Sequence, residues 1–484
     1  MNILFLAAEA APFAKVGGLG DVVGALPWAL KQAYPQADIR LVLPFHTTVD
    51  AGRWGLQPAA AFTVAHRNGP LHAEVYETRH RGLPVYFING APIAAVPGVY
   101  SRDPRADEVK YAFFSLAALA LTRMLAWPPD ILHAHDWHTA LAVHAVAHSQ
   151  AQSATRTVLT VHNLPYMGAP SPLLLEAFGL PPASRATGLP QWALTTPLPM
   201  GMAAAHAITT VSPTYAREIL TPAFGHGLEG FLQRRRDRLF GILNGLDTDL
   251  WNPATDPALD VRYNAATLSL RERNAAALRA EVGLPQPPAR QPLIGLVSRL
   301  TEQKGVDLVP AALRLLADYP WQAVLLGTGE PGLEEALRSL EAAFPGRVRA
   351  VLRYDDALAR RIYAGADMLL VPSRYEPCGL AQMIAMRYGT PPVARETGGL
   401  ADTVDDVDLR PRRSTGFLFP EASAPSLAFA LRRAFALFGH RRRWQALQRR
   451  GMAKDFSWHK SAKAYLELYR RLLRDPSQAK PFPP

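Results

Sequence analysis

Six short stretches concentrate side chains able to do chemistry. In Lys15-Val16-Gly17-Gly18-Leu19-Gly20-Asp21, glycines let the main chain approach a ligand closely, and the free N–H groups and positive dipole of a following helix attract an anion. Lys15 adds a positive charge, and Asp21 stands where it could cap the helix or bind a hydroxyl. The spacing is not G-x-G-x-x-G, so the dinucleotide fingerprint is not met, and a plain turn with a solvated lysine remains an alternative. His133, His135, Asp136 and His138 crowd a second stretch, and His162 lies in a third. Three histidines in six residues admit a metal, a set of core or loop rings, or a hydroxyl-rich sugar site; no H-E-x-x-H or cysteine set accompanies them. Asp136 and His162 are the better candidates for contacts to substrate, because a carboxylate and an imidazole both bind hydroxyls.

The remaining three stretches are in the second half. Ser298-Arg299-Leu300-Thr301-Glu302-Gln303-Lys304-Gly305 places two cations five residues apart, which suits a diphosphate whose charge is stabilised without a metal. Two ordinary surface cations are the alternative. Further on, Val371-Pro372-Ser373-Arg374-Tyr375-Glu376-Pro377-Cys378-Gly379-Leu380 sets Glu376 after an apolar run, and Thr397-Gly398-Gly399-Leu400 offers another N–H-rich helix entry.

The elements that must position these groups follow from hydrophobic patterning. An apolar run, residues 3–8, precedes the first glycine stretch, and a helix pattern, residues 22–30, follows it. Further apolar, β-branched runs at residues 39–43, 85–88, 131–134, 157–161, 207–211 and 239–243 alternate with helical patterns, as in a parallel sheet covered on both faces. Residues 251–292 are rich in proline around one polar helix, 268–282, as expected of a linker. A second series of strand-like runs starts at residue 293 and continues at 323–326, 348–352, 368–371, 392–394 and 416–418. The fold class is therefore α/β, with two doubly wound Rossmann-like domains. Ligands of such sheets bind outside the strand carboxyl ends, so a central cleft between the domains is the expected site. The expected boundaries are an N-terminal domain 1–250, a linker region 251–292, a C-terminal domain 293–455, a last helix 456–474, and a disordered tail 475–484.

Composition narrows the class. At 484 residues and 49% hydrophobic, the chain exceeds one ordinary core. No apolar run is long enough to span a membrane and no signal peptide opens the sequence, so no membrane association and a cytoplasmic location are expected. The lone Cys378 allows no intrachain disulfide. The net charge of +11 favours anionic ligands. Its arginine clusters at 234–236, 410–413 and 441–443 lack interleaved aromatics, which argues against nucleic acid. Nothing in the sequence indicates an oligomeric state.

Taken in order, residues 15–21, 133–138, 160–163, 209–216, 241–247, 298–305, 371–380 and 397–404 resemble the bacterial glycogen synthases and plant starch synthases. The resemblance covers nearly the whole chain. It implies a GT-B fold, a last helix that crosses back to the N-terminal domain, and retaining transfer of glucose from ADP-glucose to glycogen or another α-1,4-glucan, with no cofactor and no metal. It implies that Lys15, Gly17 and Gly18, with Asp21, meet the donor, that Arg299 and Lys304 neutralise the departing diphosphate, and that Glu376 holds or stabilises the glucosyl ring. Asp136 and His162 would line the glucose and acceptor side. Asn163 and Asn244 fall within matching motifs, and Tyr354 matches a ring near the adenine. Thr397, Gly398 and Gly399 match diphosphate and sugar contacts, while Cys378, Gly379 and Leu380 belong to the same donor-side run. Ile384 stands where many related transferases carry a second carboxylate, an absence the starch and glycogen synthases share. Two departures, Pro199 and Met167, fall on the acceptor side. The alternative is a GT-B transferase with another donor, such as UDP-glucose, or another acceptor.

Overall fold

The computed structural model describes residues 1–474; the expected tail, 475–484, lies outside them. The chain divides into two compact units, one made of Met1–Gly245 with the chain from Trp458 onward, the other of Leu246–Ser457.

The first unit is built on nine strands: β1 (Asn2–Leu6), β2 (Asp38–Pro44), β3 (Gln57–Val64), β4 (Leu71–His80), β5 (Leu83–Asn89), β6 (Ile131–His135), β7 (Arg156–Val161), β8 (Ala207–Thr210) and β9 (Leu239–Gly241). Their spatial order is β3-β4-β5-β2-β1-β6-β7-β8-β9. All pairs are parallel except β3 with β4 and β4 with β5. The parallel part follows from continuous apolar runs buried on both faces, such as Ile3, Leu4, Phe5 and Leu6. The sequence reading omitted β3 and β4, whose alternating burial marks an edge hairpin with one wet face. Chain order reverses at β1, with β2 on one side and β6 on the other, so the loops after β1 and β6 flank the switch point where α/β sheets bind ligands.

Local departures from the expected elements have local causes. The helix pattern at 22–30 is two helices, Gly18–Val23 and Leu26–Ala33, because Gly24 lies against the main chain of Ala11 and Pro27 starts a new first turn. The C-terminal helix, Trp458–Arg474, belongs to the first unit and packs on Leu26–Ala33. Trp458, Tyr465 and Tyr469 are among the side chains it buries.

The second unit holds a six-stranded, all-parallel sheet: β10 (Leu293–Val297), β11 (Gln322–Leu326), β12 (Val348–Val351), β13 (Met368–Val371), β14 (Pro392–Arg395) and β15 (Phe417–Phe419), ordered β12-β11-β10-β13-β14-β15. Its switch point falls between β10 and β13. Residues 251–292, expected as a linker, fold into this unit instead. Tyr263 donates to the carbonyl of Tyr388, and the helix Arg271–Val282 packs on the helix Asp356–Gly365. Buried Asp256, which accepts from Tyr388 and pairs with Arg360, anchors the prolines that looked like connection.

Candidate functional site

In the first unit, the turn after β1 is organised by a residue the sequence reading did not select. Glu9 is 2% exposed, and its Oε2 accepts from the amides of Val16 and Gly17 at 2.5 and 3.0 Å. Oε1 accepts from the Tyr100 hydroxyl at 2.8 Å. Two amides expected to be free for an anion are thus already occupied by one from the protein. Nor does Asp21 cap the helix Gly18–Val23, whose N-cap is Gly17 with no side-chain bond; Asp21 pairs instead with Lys15 at 2.7 Å, in water. The lysine head and the face of Gly18, where a Cβ would meet nothing within 4 Å, remain open.

The ends of β6 and β7 meet around Asp136. This residue, buried at the start of the helix Trp137–Ala147, has φ +56°, a conformation sparsely populated by residues other than glycine. Its Oδ1 accepts from the amide of His162 at 2.7 Å. Burial drives its pKa up to about 7, opposed by the amides of His162 and Asn163 and helped by the charge of Glu9. His162 Nε2 lies 2.9 Å from His135 Nδ1, and burial pushes His162 down to about 3, so it is a neutral ring at physiological pH. The buried Oδ1 atoms of Asn163 and Asn244 have no hydrogen-bond partner among the described residues.

The other histidines divide by environment. His133 is fully buried, with Nδ1 2.7 Å from the Tyr469 hydroxyl and Nε2 2.6 Å from Thr160 Oγ1, which in turn meets Thr209. It ties the C-terminal helix to the sheet. His138 packs against the rings of Tyr111 and Trp137. Among the described residues, no group of three His, Cys, Asp or Glu side chains is placed to hold a metal ion. Met167 and Pro199, the two departures, are buried, and the Met167 carbonyl accepts from Leu198 in the helix Pro197–Ala204.

In the second unit, the loops after β10, β13 and β14 converge. Lys304 Nζ lies 2.6 Å from Glu376 Oε2, and Ser373 donates to the same oxygen at 2.9 Å. Glu376 is 6% exposed. Arg299 is exposed, and its guanidinium makes no bond to the described residues. Arg374, which the sequence reading passed over, makes a two-pronged pair with Asp307 at 2.7 and 2.8 Å and fixes the two loops against each other.

The glycines here are demanded by close backbone approach. Gly398 has φ +43°, and a Cβ there would stand 2.0 Å from the carbonyl oxygen of Glu376. At Gly399 it would stand 2.1 Å from the Cys378 oxygen. The amide of Gly399 donates to the Glu376 carbonyl at 3.0 Å, so the Thr397-Gly398-Gly399 turn carries the main chain beneath Glu376. Gln382 bonds the carbonyls of Cys378 and Gly379 and the Thr403 hydroxyl. Cys378 is buried, and Gly379 and Leu380 are half-buried at the entry to the helix Ala381–Arg387. Ile384 is a core side chain on that helix. Tyr354, after β12, is 82% exposed, a ring with nothing over it.

Comparison with known proteins gives a single direction. The profile of the starch synthase catalytic domain matches residues 2–234, and that of group 1 glycosyl transferases matches residues 291–436. A glycogen synthase of Anaeromyxobacter dehalogenans strain 2CP-C is 45% identical over 98% of this chain and 100% of its own. The catalytic domain of starch synthase IV from Arabidopsis thaliana, solved bound to ADP and acarbose, superposes with a TM-score of 0.89 at 36% identity, covering 98% of this chain and 99% of that one. A sucrose-phosphate synthase from Thermosynechococcus elongatus has a TM-score of 0.61 at 20% identity over 98% of this chain and 99% of its own, a likeness of fold.

Proposed function

The chain belongs to the family of bacterial glycogen synthases and plant starch synthases, glycosyltransferases of the GT-B fold, and from that premise we propose that it transfers glucose from ADP-glucose to the non-reducing end of an α-1,4-glucan with retention of configuration. The observation that carries the reading is the pair of half-buried Lys304 with buried Glu376, together with the exposed Arg299 in the same segment after β10. Two cations at one strand end suit a leaving diphosphate, and a carboxylate held by a lysine and a serine suits a sugar that gains positive character. The choice of adenine and glucan is supported by the ADP and acarbose bound to the 36% identical starch synthase.

In this reading the C1–O bond to the diphosphate breaks and the bond from C1 to the acceptor 4-oxygen forms on the same face. The departing phosphate oxygen takes the proton of that hydroxyl. Lys304 and Arg299 stabilise the charge that develops on the phosphate, and Glu376 lies on the sugar side. Lys15 and Gly18 add donor contacts, Tyr354 offers its open ring to the base, and Asp136 and neutral His162 bind sugar hydroxyls. None of these groups need be a strong base.

The test is glucose incorporation into glycogen by the purified protein without added metal, with ADP-glucose and UDP-glucose compared at equal concentration. Preferred use of ADP-glucose is expected. Transfer from UDP-glucose alone would move the donor assignment, and transfer from neither would overturn the proposal.

A further inference from the structure

We infer that Glu9 is a positioning residue: an internal anion that fixes the main chain of Lys15, Val16 and Gly17 and so aims Lys15, a role that rests on the donor reading above. Elsewhere the turn is held by the Ala11 amide, which donates to the Gly20 carbonyl at 2.9 Å, and by the Lys15–Asp21 pair. Val16 is 61% exposed and cannot anchor it by apolar packing, and Lys15 is half in water. The amides of Val16 and Gly17 are held by one buried carboxylate oxygen that accepts from both.

The carboxylate is itself held from the far side. Tyr100 donates to its second oxygen. The segment carrying Tyr100 is pinned by the fully buried Lys110, whose Nζ donates to the carbonyls of Gly98 and Val99 at 2.9 Å each, and by Tyr111, which donates to Val99 at 2.6 Å. A connected chain of hydrogen bonds thus runs from the helix Pro104–Met124 to the glycine turn. Gly20 belongs to it sterically, since a Cβ there would come within 2.9 Å of Glu9 Oε2 and 3.1 Å of Lys15 Cγ. Because Glu9 occupies these amides, the donor receives from this turn the charge of Lys15 and the open face of Gly18, and not the amides of Val16 and Gly17.

Two readouts separate positioning from mere support of the fold. One is amide hydrogen exchange at Val16 and Gly17 without any substrate; the other is the Michaelis constant for the donor set against that for glycogen. Glu9→Ala is expected to deprotect both amides and to raise the donor constant about tenfold or more with the glycogen constant unchanged, as misplacement of a charge by a fraction of an ångström would. Glu9→Gln keeps one oxygen for the amides, and Tyr100 can turn to accept from the carboxamide, so both readouts should return most of the way. Should Glu9→Ala fail to fold, Gly20→Ala crowds the carboxylate in place and is expected to give the same split more weakly. Unchanged amide protection in Glu9→Ala, or Michaelis constants for donor and glycogen that rise together, would overturn the inference. So would a Glu9→Gln as impaired as Glu9→Ala. Loss of all transfer in the unaltered enzyme would count against the proposed function alone, because amide protection is read without substrate.

Discussion

Each unit places a glycine turn against a buried glutamate, and the two do so in opposite ways. In the first, the side chain of Glu9 takes the turn amides and is consumed by them. In the second, the main-chain oxygen of Glu376 takes the amide of Gly399, which leaves the carboxylate for Lys304 and Ser373. A side chain used as an anchor is withdrawn from chemistry, while a backbone used as an anchor sets its own side chain free. The surroundings differ in the same sense. The second unit fixes a charged pair at a strand end, whereas the first desolvates its groups until His162 is neutral and Asp136 titrates near neutrality.

The comparison is tested most severely by removing one lysine from each unit. Lys304→Ala takes away the cation that the proposal sets against the departing diphosphate, and turnover should fall by about 10²-fold or more, as on loss of comparable charge-stabilising groups. Lys15→Ala removes a half-exposed lysine whose partner, Asp21, is also wetted; its effect should be smaller and appear in the donor Michaelis constant. Equal losses in turnover would erase the distinction between the units. Next in size is Gly399→Ala. Its Cβ would meet main-chain atoms of Cys378 at 2.1 and 2.5 Å, which only a backbone shift can relieve, so a loss of roughly 2–3 kcal/mol is expected in denaturant unfolding. A melt equal to that of the unaltered protein would mean that the turn beneath Glu376 is slack.

Asp136 probes the first unit through pH. Its folded pKa, about 7, lies above the ordinary 3.8, so the folded state binds the extra proton and this residue's contribution to stability declines as pH rises from about 4 to 7. Above that window the buried charge is a burden. Asp136→Asn removes it while keeping an oxygen for the His162 amide. The variant should therefore gain on the unaltered protein between pH 5 and pH 8, by on the order of 2 kcal/mol. Transfer should change between pH 6 and 8 with Asp136, since His162 has its proton equilibrium far below that range. Parallel stability curves for the two proteins would show that the carboxylate is solvated after all.

How much of this was legible depends on what kind of force places each residue. The parallel strands were readable because burial on both faces leaves continuous apolar runs. The loops after β10 and β13 were readable because glycines and cations there have spacings few other structures require. Glu9 was not readable, since a lone carboxylate directly after an apolar run looks the same whether it points to water or bends back onto amides seven and eight residues away. Nor was the end of the first unit. Pro253 and Pro257 suggested a linker, but what decides that segment is Asp256 meeting Tyr388 and Arg360, more than a hundred residues distant. The histidines were half legible: spacing brought His133, His135 and His138 forward as a cluster and set His162 apart with Asp136, and only the neighbours show that His133 braces a helix.

That last division carries the smallest expected effect. His133 Nδ1 meets the hydroxyl of Tyr469, on a helix that returns to the first unit 336 residues later. Tyr469→Phe removes the hydroxyl and leaves the ring, whose partner ring of His133 stands 5.9 Å away, edge on. One buried nitrogen then loses its partner, which should cost about 1 kcal/mol in unfolding experiments. The 2.9 Å contact between His135 and His162 runs through a different pair of nitrogens, so turnover and both Michaelis constants should stay within about twofold, a change worth less than half a kcal/mol. A large fall in turnover with little change in stability would join His133 to the Asp136 and His162 cluster. The C-terminal helix would then act on the groups proposed to bind sugar, and the first unit's chemistry would depend on a residue 336 positions after His133.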